Sequence, residues 1–296
     1  MNKDKLSLAE WIQTAEEAGV PLHEILIQNN AEALDLTPAE VLSKMEAMLE
    51  VMNQSITFGL SGVRSHSNLS GGSAQILAQA QKSESFHNIL GAVVNDAVTY
   101  ALAVAEANAA MGRIVAAPTA GASGVLPGVL FALQKHYKLS RIELAQGLTV
   151  AGSIGLVIAN RSSLSGAVGG CQAECGSAAA MAAGAAVDLL GGTPAQVGHA
   201  VAITFKNMLG LVCDPVAGLV EVPCIKRNGG ATVQALLAAE LALVGITSFI
   251  PADETIDAMK EVGDRLPCSL KETAGGGLAK TPTALAWAQN YFASNQ

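Results

Sequence analysis

Three cysteines in two glycine-rich settings are the residues of this chain best suited to chemistry. Cys171 lies in Gly169-Gly170-Cys171-Gln172-Ala173-Glu174. Cys213 and Cys224 close the two ends of Cys213-Asp214-Pro215-Val216-Ala217-Gly218-Leu219-Val220-Glu221-Val222-Pro223-Cys224. Thiolates grouped with glycine and proline suit a soft metal. An odd total of five cysteines fits reduced thiols better than a disulfide framework. Three such ligands would leave one iron of a cubane cluster without a protein thiolate, and an open iron is a Lewis acid. The competing reading is that free cysteines bury as small hydrophobes. Neither setting has the CxxC spacing of a ferredoxin run, so spacing leaves both readings open.

Other chemistries find less support. No GxSxG nucleophile elbow occurs. The five histidines, His23, His66, His87, His136 and His199, form no HExxH or HxH pair, which argues against a zinc hydrolase. His66 stands apart because it lies in a polar, glycine-bearing segment, Arg64-Ser65-His66-Ser67-Asn68-Leu69-Ser70-Gly71-Gly72, where a titrating group can face a ligand. No GxxxxGK[ST] phosphate loop is present. Lys206, in Thr204-Phe205-Lys206-Asn207-Met208, lacks the context of a Schiff-base lysine. Further glycine-rich segments occur at Ala120 to Gly128, Ser165 to Gly170, Asn228-Gly229-Gly230 and Ala274 to Gly277. Each reads as a loop, whether a mere turn or a place where backbone N–H groups approach an anion.

These residues must be positioned by helices. In 296 residues, 50% are hydrophobic but only 4% aromatic, and 30 are glycine. Such composition suits closely packed helices and excludes disorder. Ser7-Leu8-Ala9-Glu10, Thr37-Pro38-Ala39-Glu40 and Thr193-Pro194-Ala195-Gln196 read as capping boxes. Asp253 is expected to cap a helix from Glu254 to Val262, stopped by Gly263. Apolar residues recur at helical spacing from Val41 to Met52, and period-2 alternation is scarce, so the expectation is a mostly α fold. No linker, fixed-period repeat or low-complexity tract divides the chain. It reads as one domain, 1–296, with a more charged helical lobe over 1–52.

A net charge of −8 without a basic cluster argues against a nucleic-acid partner. The first residues, Met1-Asn2-Lys3-Asp4-Lys5, lead into an amphipathic helix rather than an apolar signal core, so a cytoplasmic location is expected. Ile114 to Gln134 carries no charge and is long enough to span a membrane. Its Pro118, Gly121, Gly124, Pro127 and Gly128 would break the backbone repeatedly in lipid. Buried helices in a packed core explain that run, and Leu144 to Asn160, better than membrane spans do.

The stretch Lys206-Asn207-Met208-Leu209-Gly210-Leu211-Val212-Cys213, continuing through Cys224-Ile225-Lys226-Arg227-Asn228, closely resembles the α subunit of the iron–sulfur-dependent L-serine dehydratases. Three further blocks resemble it in the same order: Ala117 to Gly124, Ser165 to Glu174 and Lys271-Glu272-Thr273-Ala274-Gly275-Gly276-Gly277-Leu278-Ala279. The resemblance implies a 4Fe–4S cluster held by Cys171, Cys213 and Cys224 in a serine dehydratase α-type catalytic domain. It implies a lyase of amino-acid catabolism that converts L-serine to pyruvate and ammonia. It also implies a separate β subunit, because single-chain members carry a further N-terminal domain. Two cysteines depart from the pattern. Cys175 stands where valine is expected, four residues after Cys171 and on the same helical face, and is read as packing. Cys268 stands where no ligand is expected.

The chemistry implied is coherent. Hydroxide is a poor leaving group, and an open iron acts as a Lewis acid on serine's β-hydroxyl. A positioned base must remove the α-proton; His66, Lys206 and a residue of the β subunit are the candidates. Ser70-Gly71-Gly72 and Thr119-Ala120-Gly121 are the expected places for the substrate's carboxylate and ammonium. The rival class is an electron-transfer or redox-sensing iron–sulfur protein, which a fourth protein ligand would favour.

Overall fold

A computed structural model describes residues 6–294. The N-terminal segment 1–5, part of the amphipathic-helix and lobe readings above, lies outside the described residues. Thirteen α-helices occur among them: α1 (Leu8–Ala18), α2 (Leu22–Leu34), α3 (Pro38–Leu60), α4 (Ser73–Ala80), α5 (Ala92–Ala109), α6 (Val125–Tyr137), α7 (Arg141–Arg161), α8 (Gly166–Gly169), α9 (Ser177–Leu189), α10 (Pro194–Met208), α11 (Cys224–Leu243), α12 (Ala252–Arg265) and α13 (Pro282–Ser294). No strand forms among the described residues. Two isolated bridges occur, Arg64 with Gly71 and Cys213 with Lys271. The mostly α expectation holds.

Helix α9, in sequence Ser-Ala-Ala-Ala-Met-Ala-Ala-Gly-Ala-Ala-Val-Asp-Leu, is buried from Ser177 to Asp188. It packs on α6, α7, α10 and α11. Alanine makes this possible: it is the strongest helix former, loses no side-chain entropy on burial and keeps neighbouring axes close. Glycine takes over where backbones come closer still. A β-carbon on Gly59 of α3 would lie 1.9 Å from the Ala103 carbonyl oxygen of α5. Two consequences follow from this packing. The core needs few aromatic residues, and the segments between helices are held by rigid neighbours.

The capping boxes of α3 and α10 form as expected, each with proline in the first turn. Asp253 departs from expectation. Helix α12 begins at Ala252, and the Asp253 carboxylate instead accepts from Ser7 Oγ at 2.7 Å and Leu8 N at 3.1 Å. It thus caps α1 across the fold, and a tertiary cap leaves no local pattern. Gly263 does not stop α12; it lies inside the helix, where a β-carbon would come 2.9 Å from Gly169 Cα. Asn228-Gly229-Gly230 is likewise no loop but the second turn of α11.

The uncharged run from Ile114 splits. Residues 114–124 form a loop with a cis Ala117–Pro118 bond, and the helix starts only at Val125. One helix among the described residues, α7, is long and apolar enough to cross a membrane, and 67% of its most apolar window is buried in the fold. Helix α1 packs on α10 and α12, α2 on α7, and α3 on α5 and α7.

Candidate active site

Three separate segments deliver the three cysteines to one region. Gly170, with φ 78°, ends the short α8, and Cys171 then leads into a π-helical turn, Gln172–Gly176, that runs on into α9. Single π turns of this kind recur at functional sites because they re-aim side chains. This one is anchored by Gln172, which is fully buried. Its Oε1 accepts from Gly210 N at 2.9 Å and its Nε2 donates to Met259 O at 2.9 Å. Gln172 N donates to Leu211 O, tying the turn to the approach of Cys213.

Cys213 is held through its backbone by the segment before α13. Its N–H donates to Leu270 O at 2.9 Å, and Glu272 N donates to its carbonyl at 2.7 Å. Cys224 opens α11 after a cis Val222–Pro223 bond. One turn later, fully buried Asn228 donates to Cys224 O at 3.0 Å and Gly121 O at 2.8 Å and accepts from Gly124 N at 3.0 Å. Asn228 therefore locks the 119–124 loop to the cysteine helix. Cys171, Cys213 and Cys224 are 2%, 3% and 7% exposed, whereas Cys268 is exposed.

Arg227 organises the charge. Its Nη2 pairs with Asp214 Oδ1 at 2.9 Å, its Nη1 donates to Val212 O at 2.7 Å, and the guanidinium also hydrogen-bonds Cys171. The Cys171 thiol is held below its ordinary value, first by a hydrogen bond with Cys175, against burial, and then by the charge of Arg227. Burial pushes Cys224 up to about 12, and Cys171's charge adds to the rise. Burial pushes Cys213 up further, again with Cys171 contributing. Three buried sulfurs that feel each other electrostatically, with one thiolate stabilised, are a soft donor set whose remaining protons a metal would displace. Among the described residues, no three His, Cys, Asp or Glu side chains converge tightly enough for one metal ion.

Two carboxylates flank the sulfurs. Thr119 Oγ1 donates to Glu174 Oε1. A β-carbon on Gly121 would lie 2.6 Å from that same oxygen. A β-carbon on Gly166 would lie 3.0 Å from Cys213 Sγ, 3.3 Å from Glu174 Oε2 and 3.4 Å from Glu272 Oε2. Gly166 is thus packed against a sulfur and two carboxylates more closely than a side chain would allow. The Glu174 carboxyl is raised above its ordinary value by burial, against the Thr119 hydrogen bond, and further by Glu272. Glu272 has a left-handed backbone, φ 61°, unusual for a residue with a β-carbon.

The remaining candidates separate. Ser70 Oγ and Ser67 Oγ donate to the buried carboxylate of Glu221 at 2.6 and 2.7 Å. These bonds fasten the His66 segment to the loop that ends at Cys224. His66 itself is exposed, and lines a cavity of about 300 Å³ with Ser67, Leu219, Val220, Glu221 and Tyr291. Gly71 pairs with Arg64, and Gly72 leads into α4. The first amides of α4, Ser73 N and Ala74 N, donate to buried Glu106 at 2.8 and 3.2 Å. Thr119 and Gly121 meet Glu174 as described, while Ala120 turns outward and its carbonyl accepts from Ser123 Oγ at 2.7 Å. Lys206 is exposed in the last turn of α10, where Phe205 and Met208 face the π turn. Cys175 is buried and hydrogen-bonded to Cys171. Glu174, Glu272, Arg227, Asn228 and Gln172 had no role assigned from sequence. Each lies in a quoted block, three or four residues from a cysteine or one residue after it, except Glu272, which only the fold brings to Cys213.

An α-helical fold that gathers three cysteines from glycine-rich turns defines the class, and sequence comparison agrees. Residues 17–279 match the family described as "Serine dehydratase alpha chain", and the chain belongs to that family. It is 48% identical over 277 residues to the "Probable L-serine dehydratase, alpha chain" of Bacillus subtilis (strain 168), covering 94% of this chain and 92% of that one. It is 41% identical to the "L-serine dehydratase, alpha chain" of Peptoniphilus asaccharolyticus, covering 93% and 94%. A 36% match to "L-serine dehydratase TdcG" of Escherichia coli (strain K12) covers 92% of this chain but 61% of that longer one.

Proposed function

We propose that this chain is the α subunit of an L-serine dehydratase that works with a separate β subunit and a 4Fe–4S cluster. The observation that carries the reading is the gathering of Cys171, Cys213 and Cys224, buried and joined through Arg227 and Asn228, in a member of the serine dehydratase alpha chain family. When bound by those three thiolates, the cluster supplies an open iron as a Lewis acid toward the substrate's β-hydroxyl.

The chain's own residues supply the rest. Arg227 neutralises the sulfur-rich centre and fixes Cys171 against the Cys213 segment. Asn228 and Gln172 hold the flanking turns rigid, so little reorganisation accompanies the reaction. Gly121 and Gly166 let the backbone pack directly against Glu174 and, at Gly166, against Cys213. For the α-proton, His66 is favoured over Lys206, since Ser67 and Ser70 fasten its segment to Glu221 in the loop that ends at Cys224, although both side chains are exposed. Loss of the α-proton and of hydroxide yields aminoacrylate and water. Its imine tautomer then hydrolyses to pyruvate and ammonia.

The β subunit is supported by the α-chain names of the B. subtilis and P. asaccharolyticus relatives and by the extra length of the E. coli one. The test is pyruvate formation from L-serine by the anaerobically reconstituted chain, with and without its β subunit. The mixture should turn over at least about tenfold faster than the chain alone, a contribution of about 1.4 kcal/mol to the barrier. Equal rates would remove the β subunit from the account.

A further inference from the structure

We propose that Glu221 is the positioning residue for His66: its buried carboxylate grips the turn that carries the imidazole at two points and keeps that turn in register with the loop ending at Cys224. This rests on the dehydratase reading above, with His66 as base. Neither the family match nor the names of the relatives assigns a role to Glu221.

The His66 turn is closed on itself. Ser65 N donates to Ser70 O at 3.0 Å, and Asn68 N donates to Ser65 O at 3.0 Å. Asn68 has φ 59°, a left-handed conformation that asparagine tolerates better than most residues, and it lets the chain reverse between Ser65 and Ser70. Ser67 Oγ accepts from Leu69 N at 3.1 Å inside the turn. Among the described residues, the hydrogen bonds from this turn to the rest of the fold both end on Glu221. Ser67 Oγ donates to Oε1 at 2.7 Å, and Ser70 Oγ donates to Oε2 at 2.6 Å. One carboxylate thus fixes the residue after His66 and the last residue of the turn, with a separate oxygen for each. Two such bonds restrain both the position and the tilt of the turn, whereas one alone lets it swing.

Glu221 is in turn tied to the cysteine helix. It is buried, its N–H donates to Leu219 O at 2.7 Å, and its carbonyl accepts from Ile225 N at 3.0 Å. Ile225 lies in the first turn of α11, which Cys224 opens. A path of hydrogen bonds therefore runs from α11 through Glu221 to the turn of His66. A carboxylate is costly to bury unless hydrogen bonds satisfy it, and those to Glu221 come from Ser67 and Ser70. The carboxylate and the turn therefore hold each other.

The neighbouring cavity shows what this register serves. His66, Ser67, Val220 and Glu221 line one space of about 300 Å³, at the small end of the range for small-molecule sites and ample for serine. Val220 Cγ1 lies 3.2 Å from where a β-carbon on Gly121 would stand, so the cavity wall packs directly on the 119–124 loop. Asn228 joins that loop to the cysteine helix, donating to Gly121 O at 2.8 Å and to Cys224 O at 3.0 Å. The cavity thus borders the turns that hold Cys224, with His66 on its rim. Removing the α-proton while the β-hydroxyl leaves at the cysteine-held centre requires the base and that centre at a fixed separation. A misplacement of about 1 Å costs up to about a hundredfold in rate.

The test is a double-mutant cycle on the reconstituted αβ holoenzyme, with kcat and KM for L-serine and iron content measured for each variant. His66→Asn should lower kcat at least about a hundredfold, the scale of a lost proton acceptor. Glu221→Ala should lower kcat about tenfold or more, with KM within about threefold and iron unchanged, because a displaced base slows the chemical step and spares ground-state binding. In the His66→Asn background the same change should cost less than about twofold, since no imidazole remains to be positioned. Glu221→Gln keeps the shape and one oxygen acceptor, and should restore kcat to within about threefold of wild type. Ser70→Ala removes one of the two bonds, and should lower kcat about threefold and be silent beside His66→Asn. It carries the test should Glu221→Ala fail to fold. Losses that multiply in full in the double variant, unchanged kcat in Glu221→Ala, or loss of iron would overturn the assignment. Unchanged kcat in His66→Asn would overturn it too, by moving the base elsewhere; the dehydratase reading survives each of these results. A wild-type holoenzyme that forms no pyruvate from serine would instead sink that reading, and this inference with it.

Discussion

Arg227 and the three cysteines form one electrostatic unit. A guanidinium bonded to Cys171, Asp214 and Val212 O couples the π turn, the Cys213 segment and α11. Cys175 supports this unit from within the π turn, and Cys268 lies exposed outside it. Serine substitution at Cys171, Cys213 or Cys224 should therefore abolish the visible absorbance of the reconstituted chain and lower serine turnover at least about a hundredfold, a barrier increase of about 2.7 kcal/mol. Cys268→Ser should leave both unchanged. Retained absorbance in Cys224→Ser would refute the ligand set. At this scale the sequence was informative about thiols and silent about carboxylates. Cysteine is rare enough for its setting to be noticed, whereas Glu174 and Glu272 are ordinary until the fold packs both against Gly166. Nothing in a linear spacing could reveal that.

Among elements, α2 and α9 are joined by an ion pair at the edge of the core. His23 Nδ1 lies 2.8 Å from Asp188 Oδ2, and His23 N donates to Asp188 Oδ1 at 3.2 Å. Burial pulls the His23 imidazole down, but the Asp188 hydrogen bond and charge outweigh it and leave it above its ordinary value of 6.5. A raised value means the folded chain holds the proton more tightly than the unfolded one. The pair's contribution is complete below about pH 6.5 and is lost as pH rises through the folded value. His23→Gln should thus lower the urea midpoint most near pH 6 and least near pH 8.5. A deficit independent of pH would contradict the pairing. The α3 and α10 caps were legible because each lies within four consecutive residues. Asp253 was misread because it caps α1, which is 245 residues away along the chain. Asn228-Gly229-Gly230 was misread as a loop since glycine usually breaks a helix. Here Gly229 lies against Val98 of α5, where a β-carbon would come 3.3 Å from the valine Cγ1. Close packing, not turning, explains that glycine.

Taken whole, the molecule is a rigid frame of alanine-rich helices with the cysteine turns assembled at the ends of α8, α9 and α11. The low aromatic content and numerous glycines foretold helices in close contact, and that frame is what keeps three distant segments in register. What composition could not foretell was which turns would meet, since that depends on tertiary hydrogen bonds from Gln172, Asn228 and Glu221. The account's central claim is serine dehydration at an iron–sulfur centre held by these turns. Its most direct test is serine-dependent pyruvate formation by the anaerobically reconstituted α and β subunits, measured before air exposure, after it, and after ferrous iron and thiol are returned. A cluster with one iron lacking a protein thiolate is exposed at that corner and should lose it to oxygen. The account predicts activity that falls at least about tenfold in air and recovers with iron. Full activity after prolonged exposure to air, or activity sustained by pyridoxal phosphate without iron, would contradict it.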